Sequence, residues 1–154
     1  MRLSLFAGVV LTLSVPVAIA WLVGDLTDPV SLELAAQGVE LDYGIDPVSF
    51  GPAADRVIGA GACVAVVVAF AVLLWASFAG RMRAAWWTVL VALAAAGVIL
   101  GYGWRVWTAG GIGANIGAGI VTFFGGPLVI GMMVAALVSA VTLVRAARQE
   151  RPAA

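Results

Sequence analysis

Four stretches of apolar sequence, at 3–23, 57–79, 84–105 and 127–146, constrain this chain more than any other feature, because none carries a charge before its last two positions. About 20 such residues match the ~30 Å hydrocarbon core of a bilayer. A backbone in lipid must satisfy its own hydrogen bonds, which a helix does within itself. Hydrophobic residues make up 64% of the 154 and charged residues only 10%, against roughly 25% charged in a soluble domain. The expected fold is an all-α integral membrane protein, a four-transmembrane-helix bundle forming one membrane domain over 1–154. A small ordered extracytoplasmic cap, helix or β-hairpin, is expected between the first and second helices.

The first stretch has a second reading. Arg2 followed by an apolar run and Ala18-Ile19-Ala20 resembles a cleavable signal peptide. The run continues through Trp21-Leu22-Val23 to the length of a full span, so a retained helix is expected. Orientation follows from the arginines, the only basic residues present. With alternating crossings, Arg2, Arg81, Arg83, Arg145, Arg148 and Arg151 fall on one side, and only Arg56 and Arg105 on the other. That asymmetry places both termini, the 81–83 turn and the tail 147–154 in the cytoplasm. The short turn predicts a tight antiparallel hairpin between the second and third helices. Abundant Ala, Val, Gly and Arg with no lysine points to the plasma (inner) membrane of a bacterium with a GC-rich genome.

The outer loop, 24–56, holds seven of the eight acidic residues: Asp25, Asp28, Glu33, Glu40, Asp42, Asp46 and Asp55. Against these stands Arg56, which leaves a charge of −6. Asp28-Pro29 has the form of an N-cap with proline at the first helical position, and Gly38 suits the residue just past a helix end. A short helix is expected between them, followed by an extended strand. The competing reading pairs VSLEL with VELDY as a hairpin. Val30, Leu32, Leu34, Val39, Leu41 and Ile45 give the loop a greasy side, expected to lie over the helix ends. Calcium needs six to eight converging oxygens, and the spacing of these acids offers no such loop. No metal site is expected.

The stretch WRVWTAGGIGANIGAGIVTFFGGP, 104–127, is the other departure from monotony. A single helix over 113–144 would run about 48 Å, well beyond the bilayer core. A break is therefore expected at Gly125-Gly126-Pro127, with the fourth crossing starting at Pro127. Residues 108–126 become a glycine-rich outer segment, short helix or re-entrant. Gly97 and Gly101, four apart, share a helix face with Arg105 and permit close helix approach. Gly113 and Gly117 repeat that spacing. Trp104 and Trp107 sit where interfacial aromatics belong, and Arg105 among them is expected to anchor the interface or tie down the acidic loop. Asn115 is the one amide in the glycine-rich segment.

No histidine is present, and the one cysteine, Cys63, cannot form an internal disulfide. Together with the charge-free spans, this leaves no carboxylate and no histidine within the membrane to serve a proton or ion relay. Neither catalysis nor a cofactor is expected. The function expected is non-catalytic, through protein–protein contacts, as an accessory subunit, an assembly factor or a self-associating scaffold. The residues singled out for such contacts or for structure are Arg105, Trp104, Trp107, Gly97, Gly101, Gly113, Gly117, Asn115, Asp42 and Asp46. The partners expected are membrane lipid and either further copies or a larger membrane complex, not nucleic acid. The alternative is a small oligomeric channel or transporter using the broken segment 110–127.

Overall fold

The computed structural model describes residues 2–111 and 116–149. It is helical, with no β-strand among those residues. Four helices are long and apolar enough to cross a membrane. Helix α1 covers Arg2–Val23, α3 Pro52–Phe78 and α4 Trp86–Trp107. The fourth runs Ile116–Gln149 and is composite: α5 over Ile116–Ile120, a π turn over Val121–Gly125, and α6 over Gly126–Gln149. The short α2, Pro29–Ala36, stands in the acidic loop.

The fourth helix corrects the expectation of a break at Gly125–Pro127. Proline in an α-helix clashes with the carbonyl four residues back. Here the wider π turn lies immediately before Pro127, and a wide turn relaxes that spacing. The helix therefore starts at Ile116, eleven residues before the expected 127, and its 34 residues run about 51 Å.

Contacts set the direction and order of the helices. Gly8 lies against Leu90, Gly97 against Val15 and Pro16, and Gly101 against Pro16 and Ile19. The numbers rise together, so α1 and α4 are parallel. Gly59 of α3 lies against Trp21 of α1, while Ala69 and Leu73 join Ala7, Leu11 and Val15 in the core; that pair is antiparallel. Gly103 faces Val121 and Gly125 faces Ile99, so α4 and the fourth helix are antiparallel too. α1 packs on α3 and α4, and α4 packs on α6. The tight hairpin expected of α3 and α4 does not form, because α1 lies between them. They meet only through side chains, Trp87 donating to the Ser77 hydroxyl at 2.8 Å and standing edge-on to Phe70. The spatial order is α3–α1–α4–α6, an open row.

Small residues make this row possible. A side chain on Gly59 would run into the Trp21 indole, and one on Gly101 into the Pro16 carbonyl. Helices that approach this closely gain van der Waals contact along their shared faces. The core is correspondingly thin. Leu73 alone among the larger side chains is fully enclosed, and Ala7, Leu11, Val15 and Ala69 surround it.

These directions gather Arg2, Arg81, Arg83, Arg145 and Arg148 at one end of the row. Arg56, Arg105 and the acidic loop lie at the other. The pairing of Gly103 with Val121 and Ile99 with Gly125 sets Trp86, the first residue of α4, level with about residue 138. The remainder of α6 overhangs the arginine end by about 16 Å. Its length is thus accommodated by projection beyond the other helices.

Candidate functional site

The acidic end is where polar groups converge. Its first fixture is α2. The Asp28 carboxylate accepts from the Ser31 backbone N–H at 3.0 Å and the Ser31 hydroxyl at 2.5 Å. Pro29 follows at the first helical position, and Gln37 ends the helix. Gly38 then turns the chain at φ +89°, a conformation that favours glycine. Asp28, Pro29 and Gly38 therefore act as their residue types and spacing indicate. The Ser31 bonds hold the Asp28 carboxyl below its ordinary range, since they favour the charged form. The related DPVSF at 46–50 does not start a helix. There Asp55 reaches back instead, accepting from the Phe50 N–H at 3.0 Å and the Ser49 hydroxyl at 2.6 Å.

The second fixture joins the loop to the end of α4. Asp42 and Gly111 exchange backbone hydrogen bonds at 2.9 and 3.0 Å, an isolated antiparallel bridge. The Ile45 N–H donates to the Trp107 carbonyl at 3.0 Å. Gly44 sits so tightly on Trp107 that a Cβ there would come within 2.5 Å of its ring. The Gly110 N–H donates to the Thr27 hydroxyl at 2.9 Å, and that hydroxyl donates to Asp25 at 2.8 Å. Leu41 and Tyr43 close over Gly110. Neither the hairpin nor a regular strand forms: the Val39 N–H donates to the Leu34 carbonyl at the end of α2, and Asp42 alone pairs with Gly111 after α4.

Arg105 supplies the third fixture. Its Nε donates to the Ala20 carbonyl of α1. α1 ends at Val23, so Ala20 is among the last four residues, whose carbonyls lack helical partners. α1 has no basic residue in its own last turn. Arg105, the basic residue in the last turn of α4, thus brings a cation to the negative end of the neighbouring helix. Its guanidinium also lies within Coulombic reach of Asp55. Arg105 thus joins α4 to α1 and also faces one acid of the loop, Asp55.

The other residues singled out in the sequence fall in several places. Gly97 and Gly101 are buried against α1. Trp107 is half-buried beneath Gly44, and Trp104 is exposed. Asp42 and Asp46 are exposed, Asp42 in the bridge and Asp46 in the irregular chain after it. Gly117 is half-buried in α5. Gly113 and Asn115 lie outside the described residues. Sequence reasoning missed Ala20, Thr27 and Gly44. All three act through partners more than 60 positions away, which no local pattern signals.

Among the described residues no three acids or thiols gather as a metal site. What the acidic loop offers is a surface. Val30 is 63% exposed and Leu32 51%, and α2, which carries both, packs on none of the other helices. Asp25, Asp28 and Glu33 beside them are exposed too. Comparison with protein-family models, curated proteins and solved structures finds no match for this chain.

Proposed function

We propose that this is a small multi-pass protein of a bacterial plasma membrane that acts through protein–protein contacts, as an accessory subunit, assembly factor or self-associating scaffold. The acidic cap faces outward and both termini face the cytoplasm, following the arginine asymmetry. The observation that carries the contact reading is α2. It is a capped, hydrogen-bonded helix held away from the row, and it keeps Val30 and Leu32 exposed among carboxylates. Apolar side chains on a helix that packs on no other helix are a feature of docking surfaces. The alternative, a small oligomeric channel or transporter using the glycine-rich segment 110–127, is tested by the flux measurement below.

The test is site-directed chemistry in intact cells. In a Cys63→Ala background, Val30→Cys should react with a membrane-impermeant thiol reagent, and Arg81→Cys should not. The reverse pattern would invert the orientation. A photo-crosslinker at Leu32 should give one discrete adduct in native membranes. No adduct, together with solute flux in liposomes holding the purified protein, would replace the contact reading with the transporter one.

A further inference from the structure

At the arginine end, the turn between α3 and α4 is ordered and strongly basic. Ala76 closes it, its carbonyl accepting from the Arg81 N–H at 2.8 Å and the Met82 N–H at 3.1 Å. Gly80 makes the reversal at φ +65°. The Arg81 guanidinium lies over the Trp75 ring, its Cζ 4.3 Å from the centroid. Arg81 and Arg83 are both exposed, two positions apart. Trp87, locked to Ser77, walls the inner side of the turn.

Stacking on an aromatic face orders a guanidinium and leaves its edge donors outward, in the fork that fits phosphate oxygens. Each bond to an ionised oxygen is among the stronger hydrogen bonds. A cytoplasmic leaflet with anionic lipid supplies phosphates at that depth, and basic residues just outside a span attract them. Arg145 and Arg148 belong to the overhanging part of α6 and stand further out. We propose that the Trp75–Arg81–Arg83 turn binds the phosphate of an anionic phospholipid headgroup. The site rests on the membrane placement and is independent of any protein partner at the cap.

The test uses the purified full chain in a neutral detergent with defined lipids added. Phosphatidylglycerol should raise the melting midpoint by about 3–5 °C at saturation, the scale expected of a ligand bound only by the folded state. Phosphatidylcholine should give less than half that rise. Soluble glycerol phosphate at the same concentration should reproduce part of it if the headgroup phosphate alone is the ligand, and none if the acyl chains are needed. Both results are consistent with the site. Arg81→Gln/Arg83→Gln should abolish the difference between the lipids, Trp75→Leu should reduce it, and Arg145→Gln/Arg148→Gln should preserve it. Equal shifts from both lipids would overturn the proposal, as would an equal loss in the two arginine pairs, which would mean bulk charge. Release of the protein from membranes by carbonate washing would overturn the placement itself.

Discussion

The Nε of Arg105 donates to the carbonyl of Ala20, 85 positions earlier in the chain, joining the last turn of α4 to the last turn of α1. Arg105→Ala removes a charged donor from a carbonyl that α1 cannot satisfy itself. A hydrogen bond to a charged group contributes about 1.5–3 kcal/mol. The variant should melt at lower temperature in detergent, and its 24–51 loop should be cut faster by added protease. A loop as resistant as that of the parent chain would show that the α4 end holds the cap without this bond.

The glycines of α3 and α4 should respond oppositely to the same change. A Cβ at Gly101 would run into Pro16, whereas one at Gly61 meets nothing within 4 Å. Gly101→Ala should therefore push α1 from α4 and destabilise the chain by about 1–3 kcal/mol, the usual penalty of overpacking. Gly61→Ala should be neutral or stabilising by up to about 1 kcal/mol, from helix propensity alone. Thermal melts of the two variants side by side check this, and equal effects would contradict the packing of α1 on α4.

Asp28 gives α2 a pH dependence. Its carboxyl is held below the ordinary value of 3.8, first by the Ser31 hydroxyl. A group whose pKa is lowered on folding stabilises above its unfolded value, and that stabilisation is lost as pH falls through the folded value. Amide protection in 29–36 should be constant from pH 7 to about 5 and decline below about 4. Asn at this position caps nearly as well, so Asp28→Asn should keep the protection at pH 7 and lose its acid sensitivity. An unchanged acid response in that variant would assign the transition to another carboxyl.

The π turn spans the stretch between two contacts, Gly103 with Val121 and Ile99 with Gly125. Deleting Phe123, which is exposed, should convert the turn to ordinary α-helix and rotate α5 by about 100° relative to α6. One of the two contacts must then be lost, and the melting midpoint should fall. A deletion that leaves it unchanged would mean the wide turn sets no register.

The apolar helices were legible because length and composition mark each one separately. The start of α2 was legible because Asp28, Pro29 and Gly38 are local signals with local causes. The course through Gly125–Pro127 was not, since a π turn that accommodates a proline leaves no distinctive residue pattern. The separation of α3 from α4 was not legible either, because a short turn limits the distance between helix ends without fixing which helix fills the gap. In the cap, the pairing of Asp42 with Gly111 and of Thr27 with Gly110 depends on segments brought together only once α1 and α4 run side by side.

The place of α1 in the row has a consequence for how damage spreads. Both α3 and α4 lean along this one helix and not along each other. Val15 belongs to the core shared with Ala69 and Leu73 of α3, and it also meets Gly97 of α4. A lesion at Val15 should therefore loosen two neighbours at once, whereas a lesion in α6 should leave the α3–α1 pair untouched.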